Sequence, residues 1–314
     1  MVRIASPDPD CSQQIFGMKT CKAGIVAIAK DENPYLLEWL AYHLAIGFDH
    51  IWIYDNESAT PLSRIISRRA ARGRVSILRW PNAASGRTQI EAYNHFLRTF
   101  GRHVDWVAII DLDEMICLKQ DRTIDTFLRR FDGANGIALN WRFFGSSGHQ
   151  AHEPGLMIER FRRAAPLDNE INAGVKSLHR VDEVALMLPH YSLYRGPGAV
   201  VSASGKPVPN IERVDLDPAN FAVAQVNHYF VKSVEEWDRK IRRHKGYSSD
   251  DRDGYFERLD RNEVEDTTIL NHRDATLAWM CRLKRRPGIN ERLLDLIESA
   301  WAAVGRWTRR RSAP

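Results

Sequence analysis

The chain has 314 residues, 44% of them hydrophobic and 27% charged, with 45 Lys and Arg against 40 Asp and Glu and a formal charge of +5. That make-up belongs to an ordinary water-soluble globular protein with enough chain for one large or two modest cores, and it excludes a disordered or membrane-spanning polypeptide. The basic surplus is small and sits in runs such as Arg68-Arg69, Lys284-Arg285-Arg286 and Arg309-Arg310-Arg311, which fits solvated faces or phosphate steering and not duplex recognition.

Cys11, Cys21, Cys117 and Cys281 make no CxxC pair and no metal-ligand spacing, so neither zinc nor a disulfide framework is expected. The start of the chain lacks the apolar run of a secretory signal, and no stretch approaches a membrane span. A reducing, cytoplasmic setting is the expectation.

In chain order, a polar tail over 1–20 precedes Gly24–Ala29, which reads as a buried strand ending at Lys30-Asp31-Glu32. Asn33 as side-chain cap and Pro34 at the first helical position predict a helix carrying Leu36, Leu37, Leu40, Ala41 and Leu44 on its inner side and closed by Gly47. His50–Tyr54 is a second strand ending in Asp55-Asn56-Glu57. Pro61–Arg72 is read as a helix, Val75–Trp80 as a third strand and Arg87–Phe100 as another helix. The fourth strand, Trp106–Ile110, stops abruptly at Asp111-Leu112-Asp113-Glu114. Strands alternating with helices at these spacings predict a parallel sheet with right-handed crossovers.

The acidic stretch is the pivot of the chain. Ligands of open α/β sheets bind outside the carboxyl ends of the strands, and side chains two apart on extended chain point the same way. Asp111 and Asp113 are therefore placed to converge on one hard cation such as magnesium or manganese. Neither GxGxxG nor GxxxxGK[ST] is present, so a bound phosphate would be held by metal and basic side chains instead of a glycine cradle.

Beyond Glu114 the alternation loosens. Ile124–Phe131 is read as a helix, Ile137–Phe144 as a strand, and Val175–Val181 and Val184–Leu188 as short strands. The glycine-, proline- and serine-rich stretch Arg195–Pro209 is expected to be a binding loop or lid. Phe221–Asn227 leads into Asn227-His228-Tyr229, and Ser233 with Glu236 forms a capping box for a basic helix up to Lys245. Leu293, Leu294, Ile297, Trp301 and Val304 share one face of a terminal basic helix over 281–314, suited to packing on the body or to a peripheral membrane contact at the inner face.

The segments Ala29-Lys30-Asp31-Glu32-Asn33, Leu36–His43, His50–Asn56, the Asp111–Glu114 stretch, Phe144–His149 and Asn227-His228-Tyr229 with Lys232-Ser233 resemble, in one order, glycosyltransferases of family 2 type, and most of all the family 92 (DUF23-like) branch. The resemblance covers about residues 21–270. It implies an α/β GT-A fold, Rossmann-like as in nucleotide-diphosphosugar transferases, with a mostly parallel central sheet over 21–280. Residues 21–118 would be the nucleotide-binding half and 119–280 the acceptor-side half. It further implies a nucleotide-diphosphate sugar donor, with UDP and UDP-galactose as the family-level expectation, a manganese or magnesium ion, inversion, and a saccharide or glycolipid acceptor.

Carried over by position, Asp111 and Asp113 resemble the metal- and diphosphate-binding pair, with His228 as third metal ligand. Asp55 resembles the carboxylate that contacts uracil or ribose, and Glu32 belongs to the first nucleotide contact. The usual Lys-Asn-Glu reads Lys30-Asp31-Glu32 here, which leaves the nucleotide preference open.

An inverting displacement needs cations where the diphosphate charge develops and a general base at the acceptor hydroxyl. Arg87, Lys176 and Lys232 are the candidate cations. Asp266 and then Glu153 are the candidate bases, although Asp266 equally suits a cap for a helix beginning near Thr267. Trp141 and Phe144 are read as a sugar-stacking platform or as core aromatics, and His228 as a ligand or a backbone-bonded core histidine. The competing readings are a GT-A-like sugar-binding protein without turnover, a haloacid-dehalogenase-like phosphatase, and nucleic-acid binding. The phosphatase is disfavoured because its motif normally opens the fold, and nucleic-acid binding because the charge is mixed.

Overall fold

A computed structural model describes residues 21–209, 213–243 and 251–284. Nine strands form one sheet: β1 Cys21–Ala29, β2 His50–Asp55, β3 Val75–Arg79, β4 Val104–Ile109, β5 Glu114–Leu118, β6 Ala134–Phe143, β7 Val175–Arg180, β8 Ala199–Ser202 and β9 Ala224–His228. Their order is β3-β2-β1-β4-β7-β6-β9-β5, with β8 beside the first half of β6. The pairs among β1 to β4 and those of β6 with β8 and β9 are parallel. Strand β7 runs against β4 and β6, and β5 runs against β9. The class is α/β, with a large mixed sheet consistent with a GT-A-like fold.

This polarity positions the site. Strands β1, β2, β3, β4, β6 and β9 all finish at one edge, where β5 and β7 begin. Residues 30–32, Asp55, the Asp111–Glu114 turn, Lys176 and His228 are therefore brought to a common edge from six elements.

Both faces of the sheet are buried, as the uninterrupted apolar runs predict. On one, helix α1 (Asn33–Ala45) seals Ile25, Ala27, Ile51 and Ala108 with Leu36, Trp39 and Leu40. On the other, α2 (Thr88–Phe100) packs Tyr93 and Phe96 on Val26, Trp52, Val107 and Ile109.

Several sequence-based expectations change. The helix over Pro61–Arg72 is only a 3-10 turn, Leu62–Arg64, and a four-residue helix, Arg68–Ala71, capped by the Ser67 hydroxyl. Asn33 lies inside α1 instead of capping it and donates its amide to the Thr60 carbonyl, while Glu32 takes the cap position. Phe221 and Val223 are helical, in α3 (Pro218–Val223), because Asp217 caps the turn and Pro218 presets it. The Arg195–Pro209 stretch contains β8 and a turn closed by the Ser202 N–H on the Lys206 carbonyl, so it is part of the sheet and not an open lid. Ser233 and Glu236 do form the reciprocal cap of α4 (Val234–Arg243), with Glu236 N donating to Ser233 Oγ at 3.4 Å and Ser233 N donating to Glu236 Oε2 at 3.3 Å.

Helix α5 (Arg273–Leu283) packs against α1. The tail over 1–20 and the terminal face from Leu293 to Val304 lie outside the described residues. Among those described, no helix is long and apolar enough to cross a membrane.

Candidate functional site

The acidic turn is clamped from three directions. The Glu114 N–H closes it on the Asp111 carbonyl at 3.1 Å, and the Asp111 N–H donates to Glu114 Oε2 at 2.8 Å. From α1, the Trp39 indole N–H bridges the carbonyls of Asp111 and Glu114 at 3.0 and 2.7 Å. From the end of β9, the Tyr229 N–H donates to the Asp113 carbonyl at 2.7 Å. With Leu112 buried, the three carboxylates are fixed while the backbone polar groups beside them are satisfied.

Three carboxylates this close require cations, and two lysines from distant segments supply them. Lys176, 1% exposed at the head of β7, reaches Asp111 Oδ2 at 2.7 Å and Glu114 Oε2 at 3.4 Å. Burial favours its neutral form, but Asp111 and Glu114 outweigh that and hold the ammonium well above the usual lysine range. Lys240 of α4 donates to Asp113 Oδ2 at 2.8 Å and to the Phe230 carbonyl at 3.2 Å, with its ammonium against the Phe230 ring. Burial alone would raise Asp113; Lys240, His228 and Lys232 together hold it well below the usual carboxylate range. Burial pushes Glu114 upward, reinforced by Asp111 and Asp113 and opposed by Lys176.

His228 ends β9 between the rings of Trp141 and Phe143, at centroid distances of 4.6 and 5.0 Å. Burial lowers it to about 3, so it is neutral at physiological pH. Its Nε2 lies 3.9 Å from both Asp113 Oδ1 and Glu114 Oε1, and Glu114 Oε1 and His228 Nδ1 are buried without hydrogen-bond partners.

Hard carboxylate oxygens beside a neutral imidazole are a donor set that fits manganese or magnesium, and the unpartnered Glu114 oxygen leaves a lone pair for such an ion. Yet among the described residues no three His, Cys, Asp or Glu side chains are gathered into a ready cage. The Asp111 and Asp113 oxygens that a cation would share are held by lysine ammoniums.

Beside this centre opens a cleft of about 450 Å³, lined by Asp31, Glu32, Tyr35, Phe230, Lys232, Arg239 and Lys240 among others. Lys232 lies 3.4 Å from Glu32 Oε2 and 4.0 Å above the Tyr35 ring. Asp31 and Lys232, on facing walls, both adopt φ of 58°, a left-handed conformation that non-glycine residues hold only where their surroundings impose it.

Glu32, Lys232, Asp111, Asp113 and His228 are thus brought to one edge of the sheet, and Lys176 joins them as a buried partner of Asp111 and Glu114 and not as a cation facing the cleft. Four other predicted residues do not join them. Asp55 is 6% exposed, and its two oxygens accept from the Ser58 N–H at 3.1 Å and the Leu62 N–H at 2.9 Å; it holds the loop after β2 instead of facing a ligand. Arg87 is exposed at the start of α2. Asp266 accepts from Gln225, on the row of β9 side chains that alternates away from His228, and from the Thr268 N–H. It also faces Lys119 and Arg142, each 3.6 Å away, so it builds a separate pocket and a turn and does not join the acidic centre. Glu153 is 58% exposed, pairs with His149 at 3.3 Å, and follows His152, which binds Glu236 on the cleft wall. Phe144 is a core aromatic against Tyr229, whereas Trp141 stacks on His228.

Lys240, Glu114 and Trp39 escape the sequence reading as site residues. The only trace of Lys240 is its place four residues after Glu236 on a helix whose cap was legible.

A family model described as Glycosyltransferase family 92 matches residues 21–269. A glycosyltransferase family 92 protein of Oryza sativa subsp. japonica is 26% identical over 130 residues, covering 41% of this chain and 22% of that protein. One of Ricinus communis is 26% identical over 150 residues, covering 46% and 26%. The chain spans about a quarter of the length of these relatives. Among solved structures, S. aureus TarS aligns at 16% identity with a TM-score of 0.32 over 51% of this chain and 47% of that one. A mycobacterial protein aligns at 13% and 0.35 over 86% and 80%, and no argument rests on likenesses of that size.

Proposed function

The chain belongs to glycosyltransferase family 92, and from that footing we propose that it moves a sugar from a nucleotide diphosphate, UDP by preference, to a hydroxyl of a saccharide or glycolipid, with inversion and with a manganese or magnesium ion. The observation that carries the reading is the cluster of Asp111, Asp113 and buried Glu114 at the carboxyl edge of the sheet, beside a cleft walled by Glu32 and Lys232. Asp111, Asp113 and neutral His228 would hold the cation. When bound, it would offset the charge that develops on the departing diphosphate.

The chain's own residues do the rest. Lys176 keeps Asp111 and Glu114 in place as a fixed internal counter-ion, and Trp39 locks the turn that carries them. Lys232, held by Glu32 and Tyr35, presents an ammonium to the cleft where phosphate oxygens would lie. In the reaction the acceptor oxygen bonds to the anomeric carbon as the carbon–oxygen bond to the diphosphate breaks. The electron pair leaves with the diphosphate, and the hydroxyl proton passes to a base. For that base we take Glu153, which follows His152 on the stretch packed against Glu236; Asp266 is left out because it bonds Gln225, on the β9 face turned away from His228.

Thermal stabilisation by UDP and a panel of UDP-sugars, with and without manganese, in the wild type and in Asp113→Ala tests the donor reading. A shift that needs metal and disappears in Asp113→Ala supports it. No shift with any nucleotide under any metal ends it.

A further inference from the structure

The Asp113 carboxylate, a ligand in the donor reading above, is engaged by Lys240 through Oδ2 at 2.8 Å. Lys240 is neither a surface residue nor a locked structural one. It is 18% exposed and it lines the cleft. Lys176 differs, being 1% exposed and bound to two carboxylates and the Pro189 carbonyl, with no route to the cleft.

We propose that Lys240 is an exchangeable counter-ion: it holds Asp113 while the site is empty, gives that carboxylate up to the divalent cation, and then turns its ammonium to the donor diphosphate beside it. This rests on the donor reading given above. The geometry needs only a side-chain rotation. Asp113 Oδ1 and His228 Nε2 already face each other at 3.9 Å, and the Lys240 ammonium on the second Asp113 oxygen opposes the approach of a cation by its charge. Phe230, whose ring and carbonyl both touch the Lys240 ammonium, lines the same cleft and offers a resting place during the exchange. The arrangement keeps three adjacent carboxylates, of which Glu114 is fully buried, from facing one another uncompensated before the donor arrives, at the cost of competition with the metal.

The two halves of the proposal move two binding constants in opposite directions in a Lys240 variant, which a purely structural role would not do. Calorimetry is run on Lys240→Gln and Lys240→Met, the second keeping the apolar packing on Phe230, after melting without ligand confirms folding. Manganese alone is expected to bind about tenfold tighter in both variants, equivalent to removing about 1.4 kcal/mol of competition. UDP at saturating manganese is expected to bind about tenfold weaker. Arg239→Gln, which removes a positive charge from the same helix without touching Asp113, calibrates the general charge effect and is expected to change manganese affinity less than about twofold.

Manganese affinity that is unchanged or weaker in both Lys240 variants overturns the proposal, as does an equal gain in Arg239→Gln. UDP binding to the wild type that is strong and indifferent to chelator overturns instead the metal dependence on which it rests. The Lys240 reading alone fails if the wild type needs metal and the variants bind it no better.

Discussion

Asp55→Ala separates two roles that a strand-ending aspartate can have. As a nucleotide contact, its loss would weaken UDP binding and leave the fold intact. The structure assigns it the other role: a carboxylate 6% exposed, accepting the Ser58 N–H at 3.1 Å and the Leu62 N–H at 2.9 Å. Hydrogen bonds to a charged group contribute roughly 1.5–3 kcal/mol each, and two sharing one carboxylate are not fully additive, so truncation should cost about 3 kcal/mol. For a domain of this size that is a fall of roughly 6–12 °C in melting temperature. Asp55→Asn keeps one acceptor and turns an amide N–H toward the other donor, so it should fall between wild type and Asp55→Ala. The assay is reversible thermal or urea melting of the three proteins, followed by UDP titration below the melting range of the weakest. An Asp55→Ala protein that melts with the wild type but no longer binds UDP would refute the assignment.

Two further outcomes follow from buried groups near the site. A Cβ on Gly174 would lie 2.2 Å from the Trp141 ring, which itself stacks on His228 at 4.6 Å. Gly174→Ala should therefore cost about 1–3 kcal/mol by overpacking, and calorimetry should show weaker manganese binding because the displaced indole pushes His228. Glu38 is a buried residue of α1 and accepts from the Met157 and Ile158 N–H groups at 2.6 and 3.0 Å. Burial, against those bonds, raises its carboxyl from 4.5 to about 7. The folded state thus holds this proton more tightly than the unfolded chain, and the stability it contributes is present below about pH 4.5 and lost as pH rises through about 7. The full loss is roughly 3 kcal/mol. Denaturant melts between pH 4.5 and 8 should show this component in the wild type and lack it in Glu38→Gln, so a Glu38→Gln profile parallel to wild type would count against it.

The strands of the first half were legible because each is a local apolar run closed by polar residues, and the structure moves their ends by no more than about three residues. Reading failed where the deciding partner is remote or the signal is a cap. The Pro61–Arg72 segment has helical composition, but Ile66 bridges Lys284 and Ser67 gives its N–H to the Leu283 carbonyl, so the helix does not run through. At Phe221–Val223, Asp217 and Pro218 start a turn of helix directly before β9, in a stretch to which the sequence reading gave no element. Asp266 was placed by its neighbours in sequence, yet the Gln225 amide that fixes it is 41 residues away.

Sequence also divides at Leu118 more sharply than the molecule does. Glu114–Leu118 looks like the end of a nucleotide-binding half, but β5 hydrogen-bonds to β9, and β4 to β7, both from beyond that boundary. The acidic turn has the same dependence in its charges. Its counter-ions, Lys176 and Lys240, lie 65 and 127 residues from the aspartates they neutralise. Without them Asp113 and Glu114, 14% and 0% exposed, would hold unpaired charge away from water, which costs several kcal/mol. The second half of the chain is therefore what allows the first to keep these two carboxylates largely out of water. Any cation that binds there does so in competition with a balance the protein has already struck. That balance is why the Asp111–Asp113 spacing, plain in the sequence, could not by itself reveal which charges face it.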